Sequence, residues 1–205
     1  MHRYDIVTAG ADPASAQAAM IALHGRGGSP EDIIAVAAEL VDRNWHVAAP
    51  RAMNSTWYPY GFLAPRAQNE PWLQSAIDVV HRLIDELSEH LPPARIHIMG
   101  FSQGACLTCE AVARKATRYG GIHAFTGGLI GDRIEHSFYD GDFGGTPVYL
   151  SNSDHDPHVP LERSQETERI FRSMNASVTL DVFPGRPHTI SIDEIRKVRS
   201  MMAAY

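Results

Sequence analysis

The chain has 205 residues, of which 44% are hydrophobic and 20% charged, and its formal net charge is −6. This length and composition predict one globular domain over residues 1–205, with a core large enough to need no disulfide bond or metal for stability. The negative charge, which no basic cluster offsets, argues against a nucleic-acid partner.

The amino terminus and the hydropathy pattern predict no membrane insertion. The segment Met1 to Asp5 lacks the positive start and long apolar run of a signal peptide. No stretch approaches about 18 uninterrupted apolar residues, the length that a membrane-spanning helix requires. We therefore expect a cytoplasmic protein. Its oligomeric state is left open by the sequence, with a homodimer as one alternative.

Short apolar runs alternate with helical patterns along the chain. The predicted strands are Ala18–Leu23, Trp45–Ala49, Arg95–Met99, Ile122–Thr126, Pro147–Ser151 and Ser177–Phe183. The predicted helices start at Ser29-Pro30, Pro71, Ala105, Leu161 and Ser191. Strands separated by helices predict an α/β fold with a mostly parallel central sheet and helices on both faces.

Two connections between predicted elements are too long to be simple turns, namely Pro50 to Glu70 and Gly127 to Gly145. Connections beyond about 12–15 residues are usually functional or disordered. Aromatic side chains argue against disorder, because each can bury substantial area. In the first connection these are Trp57, Tyr58, Tyr60 and Phe62. We call Trp57–Phe62 the aromatic loop, which either lines a substrate pocket or covers the sheet edge.

The segment Gly100-Phe101-Ser102-Gln103-Gly104 follows a predicted strand and precedes a predicted helix. A serine between two glycines at this spacing is the nucleophile elbow of the α/β-hydrolases. The turn is so tight that a Cβ atom at Gly100 or Gly104 is expected to clash with backbone. The pattern therefore predicts Ser102 as a nucleophile at the amino end of a helix, where the helix dipole favours developing negative charge.

A serine hydroxyl needs a base and a group that orients the base, and in this fold they follow in the order acid, then histidine. His188 lies just beyond the last predicted strand and is the candidate base. Asp154 and Asp156 both follow the strand Pro147–Ser151, and spacing alone does not choose between them. A metal site formed by these aspartates with His155 and His158 is disfavoured, since no wider ligand set is present.

An oxyanion hole requires two inward-facing N–H groups. One is expected from Gln103, the residue after the nucleophile, and the other from the glycine-rich segment after the first predicted strand. We select the backbone N–H of Arg26 in His24-Gly25-Arg26-Gly27-Gly28 as the second donor. A phosphate-binding role is the alternative, but the Lys-Ser/Thr pair of a P-loop is missing.

Cys106 and Cys109 form a single C-x-x-C within a predicted helix. A redox pair or half of a zinc site would be the functional interpretation, but no second pair or ligand cluster supports it. Because residues three apart share one helix face, we expect both thiols to pack in the core.

Four segments together resemble the phospholipase/carboxylesterase family, small α/β-hydrolases related to acyl-protein thioesterases and dienelactone hydrolases. They are Leu23-His24-Gly25-Arg26-Gly27, Gly100-Phe101-Ser102-Gln103-Gly104-Ala105, Asp154-His155-Asp156-Pro157-His158-Val159-Pro160 and Gly185-Arg186-Pro187-His188. The resemblance implies an α/β-hydrolase fold without a lid domain, and Asp156 as the acid because it directly precedes the proline. The region Trp57 to Pro65 departs from the acyl-protein thioesterases, which disfavours a protein-thioester or long-chain lipid substrate.

The sequence thus predicts a serine carboxylesterase that hydrolyses small to medium esters, including aryl esters, with no cofactor and no metal. Its expected catalytic residues are Ser102, Asp156 and His188, and its expected substrate-binding residues are Trp57, Tyr58, Tyr60, Phe62 and His158. A thioesterase or a lysophospholipase would use the same residues. A lyase that reuses the acid–base groups and a non-catalytic ligand-binding module on a hydrolase fold are further alternatives.

Overall fold

A computed structural model describes residues 1–203, and at its centre lies a seven-stranded sheet. The strands are β1 Ile6–Gly10, β2 Ala18–Leu23, β3 Trp45–Pro50, β4 Ile96–Phe101, β5 Gly121–Phe125, β6 Pro147–Ser153 and β7 Ser177–Phe183. Their spatial order is β1-β3-β2-β4-β5-β6-β7. All neighbouring pairs are parallel except β1 with β3, so the sheet is mostly parallel, as predicted.

Helices cover both faces of the sheet. They are α1 Pro30–Ala38, α2 Arg66–Asn69, α3 Trp72–Ser88, α4 Gln103–Arg114, α5 Leu161–Ser173 and α6 Ile192–Met202. Helices α3, α4 and α5 share one apolar cluster with the sheet, and α1 and α6 share the other. Successive strand residues point to opposite faces, so Met20 packs in the second cluster and Ile21 in the first. None of these helices combines the length and apolar character that crossing a membrane requires.

The six predicted strands and five predicted helices are confirmed, with boundaries shifted by a few residues. Strand β1 was not predicted, because its five residues end in Gly10 and its burial is incomplete at the edge of the sheet. Helix α2 was also missed, since its four residues lie inside the first long connection. The capping boxes that begin α1 and α6 pair Ser29 with Asp32 and Ser191 with Glu194.

The register of the parallel strands brings several chain segments to one edge of the sheet. Leu23 lies opposite Gly100, and Phe101 lies opposite Phe125. Farther along, Ser153 lies opposite Phe183. The glycine-rich segment, the elbow, the aspartate segment and the His188 segment therefore leave the sheet at the same edge, where ligands bind in open α/β sheets.

The two cysteines are both buried on α4, as predicted, and both are free thiols. Burial raises the pKa of the Cys106 thiol to about 12. A thiol with this pKa stays protonated at neutral pH and packs as a small apolar group.

A buried pair of histidines lies inside the sheet, with His97 second in β4 and His123 in the middle of β5. The Nδ1 atom of His97 is 3.2 Å from Nε2 of His123, and the ring of Trp45 packs edge-on against His97 at 4.9 Å. Burial lowers the pKa of His97 to about 4. It also lowers the pKa of His123 well below the usual value, and the neighbouring His97 lowers it further.

This pair is expected to make folding less favourable as the pH falls below about 6.5, the ordinary histidine pKa. The folded-state pKa values are depressed, so the unfolded chain takes up protons that the folded chain excludes. The free energy of unfolding therefore has its full value above about pH 6.5. Below that pH it falls by up to about 1.4 kcal/mol per pH unit for each histidine. Urea unfolding between pH 7.5 and 5 measures this slope. The variant His97→Asn/His123→Asn should show a shallower slope, and an unchanged slope would contradict the prediction.

Candidate active site

Ser102 lies between β4 and α4 in a backbone conformation that non-glycine residues rarely adopt, with φ 54° and ψ −117°. A Cβ atom on Gly100 would come 2.3 Å from the carbonyl oxygen of Gly104, and one on Gly104 would come 2.1 Å from that of Leu23. The predicted clash at both glycines is therefore confirmed. The elbow presents the Ser102 side chain directly above the amino end of α4.

The side chains of Ser102, His188 and Asp156 come from segments that are distant in the chain, and they meet at the elbow. His188 Nε2 is 2.7 Å from Ser102 Oγ, and His188 Nδ1 is 2.8 Å from Asp156 Oδ2. The second carboxylate oxygen of Asp156 accepts hydrogen bonds from the backbone N–H groups of His158 and Val159, each at 2.9 Å. A hydroxyl, an imidazole and a carboxylate in this order can pass a proton from serine to histidine while the acid holds the ring.

The Asp156 side chain is fully buried, and its environment favours the ionised form. Burial by itself raises the pKa of this carboxyl. The hydrogen bonds from His188 and from two backbone N–H groups outweigh burial, and they hold the pKa below its usual value. Asp156 is therefore ionised at neutral pH and can stabilise a positively charged His188.

The other candidate acid, Asp154, does not contact His188. Its Oδ1 atom accepts a hydrogen bond of 2.8 Å from the backbone N–H of Gly185 and lies 3.0 Å from His155 Nδ1. Asp154 thus connects the two segments that carry Asp156 and His188, which is a loop-capping role. The two aspartates that spacing left as alternatives have different partners in the folded chain.

Two aromatic rings enclose the His188 imidazole. The Phe101 ring lies 5.2 Å from it at an interplanar angle of 41°, and the His158 ring lies 4.9 Å from it at 79°. These contacts limit rotation of the imidazole about its side-chain bonds. No role was predicted for Phe101 from the sequence, although its position next to Ser102 in the elbow indicated that it lies near the site.

Arg26 and Gln103 both line the cavity that contains Ser102. In the glycine-rich segment, the N–H groups of Gly27 and Gly28 donate to backbone carbonyls. Within residues 1–203, the N–H groups of Arg26 and Gln103 donate to no protein acceptor. These two N–H groups are therefore candidate donors to a ligand at Ser102.

The cavity beside Ser102 has a volume of about 370 Å³. The residues that line it include Tyr58, Phe62, Phe101, Cys106, His158 and Val159. Cys106 lies one helical turn after Ser102, so helical spacing could have placed it beside the elbow serine. Most of these groups are apolar, which suits a largely hydrocarbon ligand.

The aromatic loop reaches this cavity with only some of its predicted residues. Tyr58 and Phe62 line the cavity, and so does His158. Trp57 and Tyr60 do not, which corrects the expectation that both contact substrate. Trp57 is fully buried in the first apolar cluster, and its indole N–H donates to the carbonyl of His24 at 2.9 Å. Tyr60 is 56% exposed on the outer surface of the loop.

Side chains of the two candidate oxyanion residues also hold the aromatic loop, a role that the sequence did not indicate. The Arg26 guanidinium donates to the carbonyls of Tyr58, Pro59 and Tyr60 at 2.9, 3.0 and 2.8 Å. The Gln103 amide donates to the Tyr58 carbonyl at 2.9 Å. The cavity wall is therefore fixed to the segments that flank Ser102.

No cluster of three or more His, Cys, Asp or Glu side chains among residues 1–203 is arranged to hold a metal ion.

Comparison with known proteins identifies relatives with the same architecture. A crystal structure of a phospholipase/carboxylesterase from Dyadobacter fermentans superposes with a TM-score of 0.97 at 46% identity, covering 99% of this chain and 98% of that one. A probable carboxylesterase SOBER1-like of Arabidopsis thaliana is 28% identical over 137 residues, which are 66% of this chain and 52% of the relative.

Acyl-protein thioesterase 1 of Eremothecium gossypii is 32% identical over 119 residues, which are 57% of this chain and 50% of the relative. The match thus spans about half the length of these two curated relatives. The profile of one family, described as Phospholipase/Carboxylesterase, matches residues 2–205, which is nearly the whole chain. The chain belongs to the phospholipase/carboxylesterase family of α/β-hydrolases.

Proposed function

We propose that this protein is a serine carboxylic-ester hydrolase that cleaves small to medium esters, aryl esters included, through an acyl-enzyme. The observation that supports it most directly is the pair of short hydrogen bonds from Ser102 to His188 and from His188 to Asp156. The family of the chain and the printed names of its relatives agree with this chemistry.

In the proposed first step, Ser102 Oγ attacks the ester carbonyl while His188 Nε2 takes its proton. The carbonyl oxygen becomes negatively charged and accepts hydrogen bonds from the Arg26 and Gln103 N–H groups. Asp156 stabilises the protonated imidazole that results. His188 then returns the proton to the departing alcohol, and an ester bond to Ser102 replaces the original one.

In the second step, water attacks the acyl-enzyme. His188 takes a proton from the water and returns it to Ser102 Oγ, which releases the carboxylic acid. The same two N–H groups stabilise the second oxyanion, so one set of residues serves both halves of the reaction.

The size of the cavity supports a small or medium acyl group. Its volume of about 370 Å³ lies toward the lower end of the range for ligand sites, about 300–1,000 Å³. Arg26 and Gln103 fix the loop that carries Tyr58, so the wall is formed without a moving lid. A preformed site of this size fits a short chain or an aryl ring better than a long lipid chain.

A thioesterase is the second candidate, since one relative is named acyl-protein thioesterase 1. It would use the same residues, because the tetrahedral intermediate of a thioester carries the same oxyanion. A non-catalytic ligand-binding module would require neither the short Ser102–His188 contact nor the two available N–H groups, so both features argue against it.

A panel of p-nitrophenyl esters with acyl chains of two to twelve carbons tests the proposal. We expect the highest kcat/KM for the short members and no jump in rate above the critical micelle concentration of the longer ones. Phe62→Ala should shift this preference toward longer chains, raising the eight-carbon to two-carbon ratio of kcat/KM by about 10-fold, because removal of the ring extends the cavity.

Tyr60→Ala is the matched control, since Tyr60 belongs to the same loop but lies outside the cavity. Its chain-length profile should equal that of the wild type. If the two variants give the same profile, the cavity beside Phe62 does not hold the acyl group. If no ester in the panel is hydrolysed, the proposed function is wrong.

A further inference from the structure

The Arg186 guanidinium is buried close to His188, although arginine side chains are mostly exposed. The Arg186 side chain is 7% exposed, and that of its ion-pair partner Glu194 is fully buried, with 2.5 Å between Nη1 and Oε2. Nη2 donates to Thr126 Oγ1 at 2.6 Å, and Nη1 also donates to the carbonyl of Thr189. One side chain thus connects three separate parts of the molecule.

The segment that carries His188 has few other attachments. It runs from Gly185 to Thr189 without helix or strand, and both of these residues are exposed. The Gly185 N–H is bound by Asp154, which holds the beginning of the segment. The Arg186 side chain holds its end, because it bonds the carbonyl of Thr189, the residue after His188.

The partners of Arg186 are themselves fixed to the fold. Thr126 directly follows β5, and its N–H donates to the carbonyl of Ser151 in β6 at 3.0 Å. The residue before it, Phe125, accepts a hydrogen bond of 3.0 Å from the Ser102 N–H. Arg186 therefore ties the His188 segment to the same strand end that holds the Ser102 backbone.

Glu194 provides the second fixed partner. Its Oε2 atom accepts hydrogen bonds from the backbone N–H and the hydroxyl of Ser191 at 2.7 and 2.8 Å, which completes the capping box of α6. The guanidinium thus joins the end of β5 to the beginning of α6, with the His188 segment between them.

We infer that Arg186 is a positioning residue, which holds His188 Nε2 within proton-transfer distance of Ser102 Oγ by fixing the segment on both sides of His188. The inference rests on the proposed function, and nothing in that function requires an arginine here. The planar guanidinium bonds several acceptors in fixed directions, whereas a lysine ammonium is a flexible point charge. Arg186 contacts neither substrate nor the reacting atoms.

The variant Arg186→Met tests this inference. We expect kcat to fall about 10- to 100-fold, because a displacement of about 1 Å between reacting groups can have an effect of this size. KM should change less than about 3-fold, since Arg186 does not line the cavity. The proton between His188 and Asp156, observed far downfield by NMR, should broaden or shift. Arg186→Lys should restore part of kcat.

Two further variants separate positioning from folding. Arg186→Met leaves the Glu194 charge buried without a partner, which is strongly destabilising. The double variant Arg186→Met/Glu194→Gln removes that charge, and glutamine still serves in a capping box. Its kcat should remain as low as that of Arg186→Met. Glu194→Gln alone should retain most of the activity, because its amide oxygen still accepts from Arg186.

Arg163→Met is the matched control for loss of a buried arginine. The Arg163 guanidinium bonds the carbonyls of Leu129 and Gly131 at 2.8 and 2.7 Å and touches no part of the His188 segment. This variant should be destabilised, with kcat within about 3-fold of wild type and an unchanged downfield proton. Equal kcat in the wild type and in a folded double variant, with the same downfield signal, would overturn the inference.

Failure of the proposed function gives a different result. A wild-type protein that neither hydrolyses esters nor reacts with a fluorophosphonate would contradict the esterase proposal. The downfield proton would still report whether Arg186 positions His188, since the NMR measurement requires no turnover.

Discussion

Replacement of Ser102 or His188 with alanine is expected to lower kcat by about 10⁴-fold or more while the protein stays folded. Ser102→Ala removes the atom that would form the acyl-enzyme. His188→Ala removes the group that would take the proton from Ser102 and return it to the leaving alcohol. Both side chains lie beside the cavity rather than in the two apolar clusters, so their truncation should leave the core intact.

The double variant Ser102→Ala/His188→Ala is expected to be little worse than either single variant, because the two residues act as a unit. A fluorophosphonate should label Ser102 in the wild type, label His188→Ala far more slowly, and leave Ser102→Ala unlabelled. Circular dichroism and urea unfolding are the controls for folding. Near-normal turnover by His188→Ala would show that another group is the base.

Asp156→Asn is expected to lower kcat by about 10²- to 10⁴-fold, as loss of the acid does in other serine hydrolases. The carboxylate accepts a hydrogen bond from His188 Nδ1, so it keeps the unprotonated Nε2 directed at Ser102. An asparagine can present its NH₂ group instead, which favours the tautomer with the proton on Nε2. That tautomer cannot take the proton from Ser102.

Asp154→Asn is the matched comparison, two residues away in the same segment. Its carboxylate accepts from the Gly185 N–H, and the amide oxygen of asparagine can do the same. We therefore expect a loss of less than about 10-fold in kcat, with no change in the His188 tautomer. A larger loss for Asp154→Asn than for Asp156→Asn would contradict the assignment of the orienting acid.

Local features of the sequence were sufficient to predict most of the architecture. The spacing of apolar residues distinguishes strands from helices, because a strand alternates every two residues and a helix turns every 3.6. The caps at Ser29 and Ser191 and the elbow at Ser102 are determined within a few residues, so they are visible in the sequence. The candidate nucleophile and base followed from these local patterns and from the chain order of the fold.

Other features depended on which distant segments the sheet brings together. Spacing left Asp154 and Asp156 as alternatives, and the choice depends on which carboxylate reaches a ring 32 residues away. Trp57 and Tyr58 are adjacent and both buried, yet only Tyr58 lines the cavity. The Gln103 side chain hydrogen-bonds the backbone of both residues, and the Arg26 side chain hydrogen-bonds that of Tyr58, so the loop is fixed in this orientation.

The role of Arg186 likewise depended on the tertiary structure, because its partner Thr126 is 60 residues away in the chain. A surface arginine and a buried one have the same appearance in a sequence, and only the folded chain shows which acceptors surround the guanidinium. The sequence by itself thus determined most of the strands and helices and the residue types of the site. The tertiary structure decided which side chains meet, because those contacts join segments that no local pattern connects.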